Sequence, residues 1–139
     1  MALPVNIEDL LSAKKIESER IEFKKGWNPL KIMQTMCAFA NDFHNLGGGY
    51  IIVGATEKNG VLQRPVVGVP EDQLDQIQKE IVEIGHKIVP FYHPIIEPHK
   101  IDEKWILIIW APGGQLRPYK APLSLDKNRK EYAYFIKKC

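Results

Sequence analysis

Hydrophobic positions in this chain change period several times, and each change marks an element. Behind Asn28-Pro29, a helix cap followed by a proline suited to the first turn, Leu30, Met33, Met36, Cys37 and Ala40 recur at helical spacing. The pattern predicts a helix over Pro29–Phe43, with the methionines filling core space rather than lining a binding surface. Asn41, Asp42 and Asn45 are residues that leave helices and enter turns, and Gly47-Gly48-Gly49 removes every Cβ from the reversal. Tyr50-Ile51-Ile52-Val53 then reads as a short strand covered on both faces. The order helix, glycines, strand is the reverse of a phosphate-cradling loop, and the helix end facing these glycines carries partial negative charge. A cation suits that position better than a phosphate does.

On either side of this centre the period alternates between helix and strand. Ile7, Leu10 and Leu11 predict a short helix over Asn6–Lys14, while Ile21 and Phe23 alternate with charged neighbours as in a half-buried strand. Glu57-Lys58-Asn59-Gly60 carries an Asn-Gly turn signal, with Val61–Val69 expected as the return strand. Leu74, Ile77, Ile81, Ile84 and Ile88 mark a helix over Pro70–Val89 that Pro90 stops. Ile95-Ile96, with Pro94 before and Pro98 after, suits a sheet edge. Trp105–Trp110 reads as a buried strand entered through an Asp102-Glu103-Lys104 turn, and Tyr132–Lys137 alternates like a last strand. A βαβ unit, a helix and antiparallel strands make an α+β domain: one mixed sheet with two main helices.

Length and composition agree with one domain over residues 1–139. No apolar run approaches a membrane span, and the N-terminus lacks the basic and apolar regions of a signal peptide. Cys37 and Cys139 do not form a disulfide framework, so a cytoplasmic protein is expected. The net charge of +2 is unevenly spread. Pro112–Cys139 holds seven Lys/Arg against two acids, a balance of +5, and the remainder carries −3. A basic segment on a near-neutral body points to a polyanionic partner, the plain alternative being a solvated surface.

Candidate chemistry is sparse. His44, His86, His93 and His99 lack the spacing of a metal pair, and there is no nucleophile motif. Glu17 and Glu22 stand at the entry to the first strand, and Glu57 follows the central one. Should those strands be neighbours, the three carboxylates could converge beside Lys24 and hold Mg²⁺ or Mn²⁺ for attack on a phosphodiester. The bland alternative is pairing with Arg20, Lys24 and Lys25 on the surface.

Taken in order, several blocks resemble those of one family. Glu17-Ser18-x-x-x-Glu22-Phe23-Lys24, Cys37-Ala38-Phe39-Ala40-Asn41 and Gly47-Gly48-Gly49-Tyr50-Ile51-Ile52-Val53-Gly54 are similar to successive motifs of the Schlafen-type AlbA domain, formerly the divergent AAA domain. Ile88-Val89-Pro90, Trp105–Ala111, Arg117-Pro118-Tyr119 and Tyr134-Phe135-Ile136-Lys137 continue the likeness nearly to the end. The resemblance implies a Schlafen/AlbA-like core and a nucleic-acid-binding role, DNA ahead of RNA, at the N-terminus of a transcriptional regulator. Phosphate contacts would fall to Lys24, Lys25, Arg117, Lys120, Lys127, Arg129 and Lys130. It also implies an alternative, a Mg²⁺- or Mn²⁺-dependent endoribonuclease of Schlafen type acting on structured RNA. The family's two glutamates carry over onto Glu17 and Glu22; Thr56 stands where its aspartate belongs, with Glu57 as the neighbouring acid. A third reading is a protein-interaction or oligomerisation module, homo-oligomeric through a free strand edge. Because family members continue past their final strand, the chain is expected to be the N-terminal part of a longer protein.

Overall fold

The computed structural model describes residues 11, 21–43, 47–128 and 131–136. Four strands form the main sheet: β1 (Ile21–Lys24), β2 (Gly49–Val53), β5 (Ile95–Ile101) and β6 (Lys104–Ala111), in the order β1-β2-β6-β5. β1 runs parallel to β2, and every other pairing in this sheet is antiparallel. The two parallel strands are joined across helix α1 (Pro29–Asn41), so the expected βαβ unit and mixed sheet are present.

Pairing assigns the faces. Glu22 is level with Ile51 and Ile109, and Lys24 with Val53 and Leu107. The apolar members of these rows join α1 and helix α2 (Leu74–Gly85) in one core, with Met33, Met36, Ile77 and Ile81. Tyr50, Ile52, Ile106 and Ile108 face the other way, onto Ala55, Leu62, Val66 and Leu11. β2 is therefore buried along its whole length, as a short β-branched run between two layers should be. Ile21 and Phe23 join the second cluster, which leaves Glu22 and Lys24 on the helix side at the sheet edge. Of the predicted N-terminal helix only Leu11 is described; it is helical and buried.

The Asn28 side chain accepts from the Lys31 amide at 3.3 Å, and Asp42 ends α1 in left-handed conformation at φ 42°. Burial on α1 is wider than the predicted stripe, because Ile32, Ala38 and Phe39 are buried as well. Phe39 packs against the backbone at Gly49, while a ribbon from the C-terminal part of the chain covers a different flank through Gln34, Cys37 and Asn41. Glu57–Lys58 (β3) and Val61–Leu62 (β4) form the predicted hairpin, with Asn59 and Gly60 both at positive φ.

Several element lengths differ from expectation, α1 among them, which ends at Asn41 rather than Phe43. The return strand stops at Leu62, since Pro65 offers no N–H and Val66 turns inward to the second cluster. Helix α2, entered by a 3₁₀ turn at Glu71–Gln73, ends at Gly85 rather than Val89. Val89 precedes a proline, is biased toward extended backbone, and exchanges hydrogen bonds of 2.8 and 2.9 Å with Lys120. The last strand, β8, is only Tyr132–Ala133, paired with β7 at Ala121–Pro122. β5 is longer than expected and contains Pro98, which an edge strand tolerates because no partner needs its N–H.

Candidate nucleic-acid interface

Side chains of α1 decide where the basic segment lies. Asn41 Nδ2 donates to the carbonyls of Tyr119 at 3.0 Å and Phe135 at 2.6 Å, while its Oδ1 accepts from the Tyr119 amide at 2.6 Å. One helical amide thus clamps both arms of the ribbon 119–135. Cys37 Sγ donates to the Tyr119 carbonyl at 3.4 Å, and Gln34 Nε2 donates to that of Pro122 at 3.3 Å. Contacts of Asn41 with Tyr119 and of Gln34 with Pro122 mean that the ribbon runs back along α1. Its tip, with Lys127, heads toward the N-terminal half of the helix.

Arg117 stands at the other end. Its Nη1 lies 3.4 Å from the Asn41 and Asp42 carbonyls and 3.9 Å from Asp42 Oδ2. The sequence left a negative helix terminus in want of a cation, and Arg117 is that cation. Gly47 N–H also donates to Asp42 Oδ2 at 3.1 Å. The glycine loop itself is filled by protein: a Cβ on Gly48 would meet the Ala111 carbonyl and Pro112, and one on Gly49 the Phe39 ring.

Lys120 Nζ sits 5.3 Å from the centre of the Tyr132 ring. Around it, Lys87, Pro122, Ser124, Leu125, Asp126, Lys127 and Tyr132 line an open pocket of about 420 Å³. Lys127 is exposed, as is Lys25 in the turn after β1. Arg129 and Lys130 lie outside the described residues. Lys87 and Tyr132 were not singled out by sequence, since one fell inside the predicted helix and the other inside the predicted last strand.

The acidic set is only partly described. The strands carrying Glu22 and preceding Glu57 do run side by side, and the Lys24 carbonyl accepts from the Gly54 amide at 2.7 Å. Glu22 pairs with Lys24 at 3.3 Å, both about one quarter exposed. Exposed Glu57 accepts from the Gly60 amide at 2.6 Å inside its own turn. Glu17 lies outside the described residues. Among those described, no three His, Cys, Asp or Glu side chains are grouped to hold a metal ion. His86 and His93, unrelated by sequence spacing, meet edge to face at 4.9 Å, and His86 stacks on Phe91 at 5.0 Å.

Elsewhere titration is shaped by burial. The Cys37 thiol is pushed up from 9.0 to about 11 by desolvation, partly offset by a backbone hydrogen bond from Phe135. Burial likewise raises Tyr92, with help from Tyr119 and Asp42. Asp102 is held below the ordinary carboxylate range, chiefly by its hydrogen bonds from Arg64 at 2.6 and 3.2 Å. No helix among the described residues is long and apolar enough to cross a membrane.

Residues 17–138 match the family model described as Schlafen, AlbA_2. Comparison with curated proteins found no match. Among solved structures, the chain is similar to the N-terminal domain of a RecG-related protein from Nitrosomonas europaea, named for its relation to an ATP-dependent DNA helicase. That likeness has 26% identity and a TM-score of 0.55, over 70% of this chain and 65% of the other. The DIP2311 protein from Corynebacterium diphtheriae shares the fold at 20% identity and a TM-score of 0.55, over 83% of this chain and 22% of its own. The chain thus spans less than two thirds of either neighbour.

Proposed function

The chain belongs to the Schlafen AlbA_2 family, and from that premise we propose that it is a nucleic-acid-binding domain of a transcriptional regulator, with DNA preferred over RNA. Binding is mainly to phosphates, through Lys24, Lys25, Arg117, Lys120, Lys127, Arg129 and Lys130. The observation that carries the reading is the course of the described part of the basic segment: Tyr119, Pro122 and Phe135 are tied to α1, so Lys120 and Lys127 belong to one ribbon along the helix. The helicase-related name of the Nitrosomonas neighbour supports the same partner class. Contacts of this kind position without reading sequence, and each releases counterions. Gel-shift titration of a duplex at rising salt tests it. With about five phosphates engaged, affinity should fall on the order of 10²–10³-fold between about 50 and 200 mM salt. No binding of either duplex or single strand at low ionic strength would remove the reading.

The alternative is a Mg²⁺- or Mn²⁺-dependent endoribonuclease in which Glu17, Glu22 and Glu57 hold the metal. The parallel pairing of the first and central strands favours it. Against it, Glu22 is paired with Lys24 and Glu57 is engaged in its turn, so the described carboxylates do not by themselves fit a metal. Cleavage of tRNA in Mn²⁺ that disappears in Glu22→Gln would favour the nuclease; equal, absent cleavage in both proteins would remove it.

A further inference from the structure

The pocket beneath the ribbon has a composition that phosphate contacts alone do not require. Tyr132 is 43% exposed, and the Lys120 ammonium lies over its ring, 5.3 Å from the ring centre. Lys87 comes from the turn after α2 and Lys127 from the ribbon tip, so two separate elements supply cations to one opening. Ser124 Oγ accepts from the Asp126 amide at 3.0 Å, which leaves its hydroxyl hydrogen to donate elsewhere. Pro122 and Leu125 give an apolar floor, and about 420 Å³ is within the range of small-ligand pockets. Asp126 is the opposing charge; its Oδ1 accepts from the Asn128 amide at 2.9 Å. With Lys87, Lys120 and Lys127 the local balance remains positive.

A flat ring, an apolar floor, a hydroxyl donor and flanking ammoniums match the parts of a nucleotide: base, sugar and phosphates. In a duplex the base faces are hidden by stacking, so a tyrosine platform finds a partner only in an unpaired strand. We propose that this pocket binds an unpaired nucleotide, with its base on Tyr132 and the adjoining phosphates on Lys87 and Lys127, so that the domain favours single-stranded over blunt duplex nucleic acid. The inference rests on the nucleic-acid-binding reading and specifies the form of its ligand.

Fluorescence anisotropy at low salt tests it with labelled single-stranded DNA, single-stranded RNA of the same sequence and a blunt DNA duplex. Wild type should prefer the single strands, the two single-stranded arms deciding between DNA and RNA. Tyr132→Ala should weaken single-strand binding by about 5- to 100-fold, the range of one lost base stack, and duplex binding by at least five-fold less. Tyr132→Phe, which keeps the ring, should restore most of the loss. Lys87→Glu, on an element separate from the ribbon, should weaken single-strand binding at least ten-fold, which keeps the test open should Tyr132→Ala fail to fold. Wild-type binding to duplex without single-strand preference, or equal losses on all three ligands, overturns this inference alone. Failure to bind any of the three at low salt overturns the nucleic-acid reading with it.

Discussion

Asn41 holds together parts of the chain that are far apart in sequence. It donates to two ribbon carbonyls and accepts from one ribbon amide, across separations of 78 and 94 residues. Removing its amide takes this partner from the Tyr119 N–H and the Phe135 carbonyl, and leaves the Tyr119 carbonyl with the Cys37 thiol. Asn41→Ala should therefore cost about 2–4 kcal/mol, read as a shift in urea-unfolding midpoint. Asn41→Asp keeps the acceptor and loses both donations, and should recover little. A loss below about 1 kcal/mol for Asn41→Ala would mean that the clamp is solvent-compensated. One turn earlier, Cys37 is fully buried with its thiol raised to about 11. At pH 8 its thiolate fraction is on the order of one in a thousand. In a Cys139→Ser background, a thiol-reactive disulfide reagent should leave the native protein untouched and react only after urea unfolding. The folded state holds the proton more tightly than the unfolded state. Its contribution to stability is thus complete below pH 9 and lost as pH rises through 11. Urea midpoints measured at pH 8, 9, 10 and 11 should fall in that window and less steeply in Cys37→Ala, the remainder coming from Tyr92.

Elements whose causes are local were legible in the sequence. The Asn28-Pro29 entry to α1, the Asn59-Gly60 hairpin, the buried run of β2 and the alternation of β1 each follow from a few neighbouring residues. All stand where periodicity places them. What was not legible involves partners remote in sequence: the early end of α2 depends on Lys120 capturing Val89, and Asn41 reaches from the helix face to hold Tyr119 and Phe135. The triple glycine shows the boundary between the two. Its positive φ at Gly47 and Gly48 was readable, but the object it lies against was not: the end of β6 and the Phe39 ring. Gly49 is free of left-handed backbone, so Gly49→Ala should cost about 1–3 kcal/mol through overpacking on Phe39. Shortening the ring in Phe39→Leu should recover part of that penalty in a double-mutant cycle. Gly48→Ala combines a left-handed φ of 81° with a backbone clash and should cost more in the same assay. Equal costs at the two positions would contradict this division.

The sign of the charge was readable from composition, but its layout was not. A surplus of +5 in the last 28 residues could have been distributed anywhere. The clamps from α1 instead hold its described part in one ribbon, with Arg117 at one end of the helix and Lys127 toward the other. The two ends differ in what they do for the fold. Arg117 answers the carbonyls that terminate α1, whereas the Lys127 side chain is exposed at the rim of a pocket. Neutralising them should therefore separate stability from binding. Arg117→Gln should lower the unfolding midpoint as well as weaken nucleic-acid binding. Lys120→Gln with Lys127→Gln should leave the midpoint nearly unchanged and weaken both duplex and single strand through lost phosphate contacts, the single strand more because Lys127 also lines the pocket. If each lysine neutralises one phosphate, the slope of log affinity against log salt should become shallower by about 1.8 for a duplex and about 1.4 for a single strand. A double variant with the wild-type slope would show that the ribbon lysines do not touch the backbone. The phosphate-binding surface would then have to be sought at Lys24 and Lys25, beyond the edge of the sheet.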